Sequence, residues 1–159
     1  MARLPAPEGA AIEIDELCLR QSPALWLWII VCRKSRQVLG LVFGDRSDTM
    51  LEQAWADVAP DYREAPVYTD RWGAYGRFFC QKQHQACDKG SGLTSIAEAL
   101  NTKWRQRQSG LVRRSCGVHP RIEDDLFERF LLLVESHNRQ CQKHWHDTVL
   151  NKTATCLNP

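Results

Sequence analysis

The first part of the chain alternates between apolar and polar residues and then turns to two longer apolar runs. Over Ala11–Leu19, Glu13 and Asp15 fall on the face opposite to the isoleucines, which is the period-two pattern of a half-buried strand. Ala24–Cys32 is apolar on both faces, as in a central strand, and Val38–Gly44 is a third apolar run. The polar connection between these two runs is short enough for a hairpin. The pattern therefore predicts an antiparallel meander of three strands.

Helical spacing replaces the alternation after the meander. Ser47 is a typical helix cap, and apolar residues follow it at helical spacing until Pro60. Further along, the pattern predicts a strand over 66–70, a short helix over 75–81, a weak strand over 83–87 and helices over 93–106 and about 123–145. A helix-to-strand crossover after a meander gives a mixed sheet. The element order thus predicts an α/β, ribonuclease H-like fold in which a three-strand meander and parallel strands are flanked by helices.

Composition indicates one ordinary domain. The chain has 159 residues, of which 43% are hydrophobic and 25% charged, and this length supports a single core. We expect a linker or disordered start over 1–10, the folded domain over 11–146 and a tail over 147–159. Seven cysteines without a C-x-x-C pair favour a reducing cytoplasm over a secreted disulfide framework. No apolar run is long enough to cross a bilayer, so neither secretion nor a membrane partner is expected.

The net charge of +2 does not by itself indicate a nucleic-acid-binding protein, but the local distribution of charge is uneven. One stretch holds five basic residues and no acidic one, a pattern able to contact DNA phosphates: Lys103, Arg105, Arg107, Arg113 and Arg114. The alternative is a solvated helix face.

Three acidic residues lie where a solvated surface charge is uncommon. Asp15 lies inside a predicted strand, where aspartate is disfavoured. Asp70 ends a short strand of buried type, the position where α/β sheets present functional groups. Glu98 lies on a predicted helix within a polar stripe that also carries Asn101 and Arg105, centred about 100° from the apolar stripe. The helix can therefore pack on the sheet and turn this stripe toward the strand ends that carry the two aspartates.

Each of these carboxylates, taken alone, is more often a cap or an exposed charge, and only their convergence points to chemistry. Three carboxylates from two strands and a helix make an all-oxygen site suited to Mg²⁺ or Mn²⁺. A pair of such ions roughly 3.5 to 4 Å apart activates an attacking oxygen and stabilises the leaving oxygen at a phosphodiester. Arg105, one or two turns beyond Glu98, would then hold a backbone phosphate.

The same residues carry a resemblance to a known family. The strings Ile14–Glu16, Tyr68–Tyr75 and Glu98–Gln106, continued by Leu111–Ser115, are similar to the catalytic core of the insertion-sequence-one family of bacterial transposases. An aspartate in the first strand, a Thr-Asp-x-Trp-x-x-Tyr block and a Glu-x-x-Asn-x-x-x-Arg-Gln block occur in the family's order. The resemblance runs from about Ala11 to His144.

This resemblance implies a DDE transposase on a ribonuclease H-like fold. Asp15, Asp70 and Glu98 match the triad that binds divalent metal. Asn101 and Arg105 match positions in the glutamate helix, where the resemblance implies that they contact DNA or support the metal ligands. The implied partners are the double-stranded DNA of element ends and target and further copies of the chain assembled on that DNA. The implied location is the nucleoid of a bacterial cytoplasm.

Two further residues match the family, and one expected region does not. Trp72 and Tyr75 match, although aromatic residues after a strand more often pack in the core than stack on DNA. Such transposases usually carry an amino-terminal zinc-binding and helix-turn-helix region, which the short segment before the first strand does not supply. We therefore expect the downstream half of a transposase, completed by an upstream reading frame, or a decayed copy.

Two alternatives to a transposase remain open at this point. A metal-dependent nuclease of the same fold would hydrolyse DNA without strand transfer, and an inactive truncated transposase would only bind DNA or partner subunits. Separately, four residues have an acceptable zinc-ligand spacing: Cys116, His119, His137 and Cys141. Because His137 and Cys141 fall on the apolar side of a predicted helix, packing is the better interpretation for these two.

Overall fold

The computed structural model describes residues 3–21, 24–88, 90–107 and 122–155, and these contain a five-stranded mixed sheet. Its strands are β1 (Ile12–Gln21), β2 (Ala24–Cys32), β3 (Val38–Gly44), β4 (Val67–Thr69) and β5 (His84–Ala86). The spatial order is β3-β2-β1-β4-β5. β1, β2 and β3 pair antiparallel, whereas β4 pairs parallel with β1 and with β5. The meander and the mixed sheet are therefore as predicted.

Helices connect and cover these strands. They are α1 (Asp48–Ala56), α2 (Gly73–Phe78), α3 (Ser95–Arg107) and α4 (Ile122–Thr155), with a 3-10 turn at Pro60–Tyr62. Together with the strand order they confirm the predicted α/β, ribonuclease H-like fold class. No helix within the described ranges is long and apolar enough to cross a membrane.

The sheet separates two hydrophobic cores. On one face, Ile12 and Trp28 pack with residues of α1 and α2. On the other face, Leu17 and Ile29 pack with residues of α3 and α4, such as Trp104. β2 contributes alternate residues to both cores, which explains why its sequence is apolar without interruption. Helix α3 is thus held on the face of β1 that carries Glu13 and Asp15.

The elements differ from the predicted ones in a few places. Ser47 caps α1 as predicted and accepts a hydrogen bond from the amide of Met50, but the helix ends at Ala56 rather than running to Pro60. Helix α4 continues to Thr155. The prediction of a half-buried first strand is wrong, because the side of β1 expected to face solvent is covered by α3 and Glu13 is fully buried there.

The start of the described chain contacts the body of the domain. Leu4 is buried, and its amide donates a hydrogen bond of 3.0 Å to Oε1 of Gln37. The amide of Ala6 donates one of 2.7 Å to Oδ2 of Asp61. These contacts attach the segment before β1 to the β2–β3 turn and to the turn that follows α1.

Candidate active site

The parallel pairing of β1 with β4 brings two of the predicted carboxylates level with each other. The register matches Ile12 with Val67 and Glu13 with Tyr68. The same offset, carried two residues further, sets Asp15 beside Asp70. Since β4 ends at Thr69, Asp70 is the first residue beyond the strand and lies at the carboxyl end of this part of the sheet. Neighbouring strands lie about 4.8 Å apart, so these two residues share one edge of the fold.

The carboxylate of Asp15 lies in an electrostatically unfavourable environment. Nδ2 of Asn101 donates a hydrogen bond of 2.7 Å to its Oδ2. Burial, joined by the negative charges of Glu16 and Glu98, raises the pKa of Asp15 from 3.8 to about 6, while the hydrogen bond from Asn101 works in the opposite direction. A carboxylate in this environment gains from a nearby cation, because the cation offsets both the lost hydration and the repulsion.

Glu98 lies in the first turn of α3, with its side chain exposed. Its Oε1 accepts a hydrogen bond of 2.8 Å from Oγ1 of Thr94. The charge of Glu98 raises the pKa of both Asp15 and Glu13, so it lies within electrostatic reach of β1. Residues three apart share a helix face, and Asn101 of the same stripe touches Asp15, so α3 turns its polar stripe toward Asp15.

Asp70 faces a different set of partners. Its Oδ1 accepts a hydrogen bond of 2.8 Å from the backbone amide of Trp72, and its Oδ2 lies 3.9 Å from Nη2 of Arg46. Arg46 also donates a hydrogen bond of 2.7 Å from Nε to Oε1 of Glu16. The other oxygen of Glu16 accepts a hydrogen bond of 2.6 Å from Oη of Tyr75. Arg46 therefore bridges Asp70 to a buried carboxylate on the opposite face of β1 from Asp15.

The three predicted carboxylates do not form one ligand group. Across the part of the chain that the structure describes, no three His, Cys, Asp or Glu side chains lie close enough together to hold a metal ion. Asp15 and Glu98 interact electrostatically, whereas the carboxylate of Asp70 lies close to the guanidinium of Arg46. The donor chemistry still suits Mg²⁺ or Mn²⁺, which prefer carboxylate and amide oxygens. Asn101 adds a buried Oδ1 with no hydrogen-bond partner among the described residues.

Glu13 holds α3 in place, a role that the sequence interpretation missed. Its Oε2 accepts hydrogen bonds of 2.9 Å and 2.8 Å from the backbone amides of Ile96 and Ala97, the first-turn amides of α3. Its Oε1 accepts one of 2.7 Å from Nη1 of Arg33, which also donates to the carbonyl of Leu93. This carboxylate on β1 thus fixes the start of the helix that carries Glu98 and Asn101.

Arg46 is a second residue that the sequence interpretation missed. Its guanidinium carbon lies 4.9 Å from the ring centroid of Trp26 and 4.8 Å from that of Trp72, so the cation is held between two indoles. The Trp72 ring lies 5.4 Å from that of Trp28 and Tyr75 is fully buried, so packing is the observed role of these matched aromatics. No local sequence pattern predicts this contact, because Trp26 comes from β2, Arg46 from the β3–α1 loop and Trp72 from the β4–α2 loop.

An open cavity of about 620 Å³ lies beside Asp70 and extends past Trp72 to Cys87. At its rim Arg71 and Asp88 form an exposed ion pair with a shortest distance of 2.5 Å. The cavity thus exposes the Asp70 side of the sheet edge to solvent.

The predicted basic residues fall into two groups. Lys103, Arg105 and Arg107 lie on α3, the first two partly buried and Arg107 exposed. Arg113 and Arg114 lie outside the described residues, as do Cys116 and His119 of the candidate zinc set. The other two members of that set lie on α4, where Sγ of Cys141 is 3.4 Å from Nε2 of His137.

One comparison with known proteins identifies a family. The family model described as IS1 transposase matches residues 13–132, which is more than half of the chain and includes all three predicted carboxylates. No curated protein matches the chain significantly.

Proposed function

The chain belongs to the IS1 transposase family, and from this premise we propose that it cleaves DNA at the ends of an insertion element and transfers the freed 3′ end into target DNA. The observation that carries the proposal is the placement of Asp15 on β1 beside Asp70, the first residue beyond the parallel strand β4, with the helix of Glu98 packed over Asp15. Two metal ions held by carboxylates can assist phosphoryl transfer on DNA, and these three side chains would supply the carboxylates.

The proposed ligands of divalent metal are Asp15, Asp70 and Glu98. When bound, two Mg²⁺ or Mn²⁺ ions would assist both the attacking and the leaving oxygen of an in-line displacement at phosphorus. Asp15, Asp70 and Glu98 together would hold these ions at the edge of the sheet. Asp70 must then leave the neighbourhood of Arg46, a small change for a side chain just beyond the end of a strand.

Asn101 and Glu13 prepare this site without taking part in the reaction. Asn101 holds one oxygen of Asp15 and lowers its pKa, which keeps more of the carboxylate ionised near neutral pH. Glu13 anchors the first turn of α3 and so fixes the position of Glu98 relative to β1. Binding geometry of this kind is what converts a set of carboxylates into a site with a defined spacing.

DNA would approach along the polar stripe of α3. Arg105 follows Glu98 by seven residues on the same helix face and lies where a backbone phosphate next to the reacting one would pass. Arg107, Arg113 and Arg114 would extend this contact. We further propose that copies of the chain assemble on the DNA, because two element ends must be held at once for strand transfer.

A cleavage and joining assay tests the proposal. The purified chain is incubated with labelled element-end duplex, a target plasmid and Mn²⁺, and products are separated by size. Nicking together with joined product supports the transposase, nicking alone supports a nuclease of the same fold, and neither product supports a chain that only binds. Asp70→Ala is the matched control, and a variant that cleaves as fast as the parent would overturn the metal-triad assignment.

A further inference from the structure

A cavity of about 350 Å³ lies between α3, the β2–β3 turn and α4, away from the candidate active site. Arg36 comes from the turn, Lys103 and Leu100 from α3, and His137 from α4. Lys103 follows Glu98 by five residues, which places it about 140° further around the helix. The body of α3 therefore separates this cavity from the three carboxylates, and the basic residues of α3 serve two different sides.

Neither cation of this cavity forms an ion pair with another described residue, whereas four other arginines do. Arg33 pairs with Glu13, Arg46 with Glu16, and Arg71 and Arg77 pair with exposed aspartates. By contrast, no ion pair with a described residue involves the Arg36 guanidinium or the Lys103 ammonium group. Two unneutralised positive charges that share a concave surface repel each other and favour an anion between them.

The charges of the exposed Arg36 and the partly buried Lys103 both reach the side of α4 that borders the cavity. Burial lowers the pKa of His137, and the positive charge of Lys103 lowers it further. Burial raises the pKa of Cys141, one turn beyond His137, while Lys103 and Arg36 both act to lower it. Both cations thus lie within electrostatic reach of the same spot on α4, although they come from elements far apart in the chain.

The backbone of Arg36 is fixed in an uncommon conformation. Its φ is +59°, in the left-handed region that side chains other than glycine rarely adopt. The amide of Arg36 donates a hydrogen bond of 2.8 Å to the carbonyl of Cys32, and its carbonyl lies 2.8 Å from Nε2 of His137. A neutral His137 that donates from Nε2 explains this contact. The turn is therefore held by α4, which fixes the backbone from which the exposed Arg36 side chain extends.

We propose that this cavity binds a phosphate group of the DNA backbone, held between Arg36 and Lys103 on the side of α3 opposite the carboxylates. A phosphate matches a guanidinium and an ammonium group that face one cavity. That the phosphate belongs to DNA rests on the proposed function. A contact here would let one domain hold a second DNA segment while the first lies at the carboxylates.

The test combines a DNA-binding measurement with a reporter inside the cavity. Arg36→Asn removes the first positive charge, and asparagine tolerates the positive φ of this position. Lys103→Gln removes the second positive charge and keeps a side chain that is compatible with helix α3. The matched control is Lys82→Gln, an exposed lysine in the turn before β5. Binding of a duplex is measured against salt concentration, with circular dichroism and thermal unfolding to establish that each variant is folded.

A plot of log affinity against log salt concentration has a negative slope. We expect each cavity variant to make this slope less steep by about 1, and the double variant by about 2. Lys82→Gln should leave the slope unchanged. In the parent, duplex DNA should raise the pKa of His137, observed by NMR of the imidazole ring, because the bound phosphate offsets the charge of Lys103. The double variant should lose this response.

Two results would overturn the proposal. One is a folded double variant with the affinity and salt slope of Lys82→Gln. The other is a His137 response to inorganic phosphate with none to duplex DNA, which would assign the cavity to a free anion. The outcome is independent of catalysis, since Asp70→Ala should lose cleavage and keep the His137 response to DNA. Failure of the proposed function and failure of this cavity are therefore distinguishable.

Discussion

Glu13 and Asp15 are two residues apart on the same face of β1, yet the fold treats their carboxylates in opposite ways. Glu13 is completely buried and receives two backbone hydrogen bonds and an arginine. Asp15 is less buried, and among side chains it receives a hydrogen bond from Asn101 while two further carboxylates repel it. Burial alone therefore does not distinguish the two carboxylates. The informative difference is between a charge that the protein compensates and one that it leaves in need of a cation.

The source of the difference is the helix that covers both residues. The first turn of α3 points its amides at Glu13, and free amides at a helix start favour a negative charge. Asp15 lies further along β1, beside the side chains of α3, where Asn101 is the neighbour and Glu98 adds negative charge. The helix thus gives Glu13 two backbone donors and gives Asp15 one side-chain donor, while Glu98 repels both carboxylates. We expect substitutions at Glu13 to affect folding and substitutions at Asp15 to affect chemistry.

Of the substitutions that test this difference between Glu13 and Asp15, we expect Asp15→Asn to have the largest effect, which is on the rate of DNA cleavage. The change removes the charge and keeps the shape, so we expect Mn²⁺-dependent cleavage of element-end DNA to fall by about 1,000-fold. Stability should not fall, because a repelled anion is removed. Initial nicking rates and urea unfolding measure the two quantities, with the exposed Glu52→Gln as control. A folded variant that cleaves within tenfold of the parent would contradict the assignment.

Glu13→Ala should show the reverse pattern, with stability as the main loss. It leaves two helix-start amides and Arg33 without their acceptor, and we expect the free energy of unfolding to fall by about 3–4 kcal/mol. Urea unfolding measures this loss, and Glu52→Ala on the surface of α1 is the matched control. If Glu13→Ala and Glu52→Ala unfold at the same urea concentration, Glu13 does not anchor α3.

The pH dependence of stability tests the environment of Asp15 without assaying activity. The folded pKa of Asp15, about 6, lies above the ordinary 3.8, so the folded state holds its proton more tightly than the unfolded state. Stability from this group is therefore present below pH 4 and is lost as pH rises to about 6, by about 2–3 kcal/mol. The difference in unfolding free energy between parent and Asp15→Asn, measured from pH 3.5 to 8, isolates the effect. A flat difference would mean that Asp15 is not strained.

The strands of the meander were predictable because long apolar runs report burial directly. β2 and β3 have the predicted bounds, and Asp15 was recognisable because an aspartate is unusual inside a strand. The alternation of apolar and polar residues identifies β1 as a strand and predicts that Glu13 faces solvent. Alternation does not show whether a helix covers the polar face, and here α3 does. The partners of Glu13 lie 20 and more than 80 residues away along the chain.

The partners of Arg46 could not be predicted from the sequence either. Trp26 and Trp72 each have a local explanation as strand or core residues, and nothing in the short loop after β3 indicates a cation between them. The direction of Asp70 depends on the same contact, because Arg46 lies 3.9 Å from its carboxylate. The sequence predicted which elements meet at the sheet edge, whereas the orientation of each side chain depends on packing between distant segments.

The smallest expected effect comes from Asn101→Ala, which tests how far the hydrogen bond from Asn101 offsets the unfavourable environment of the Asp15 carboxylate. Asn101 donates to Asp15, but its own Oδ1 has no described partner. The lost hydrogen bond and the removed unpaired oxygen therefore nearly cancel, and the unfolding free energy should change by less than about 1 kcal/mol. Without the amide, the pKa of Asp15 rises, so the acid limb of the pH–rate profile should move to higher pH and the rate at pH 7 should fall by about 10-fold. A lower rate with an unmoved acid limb would mean that Asn101 contacts DNA rather than positioning Asp15, and the nicking rate measured from pH 5 to 9 distinguishes the two roles.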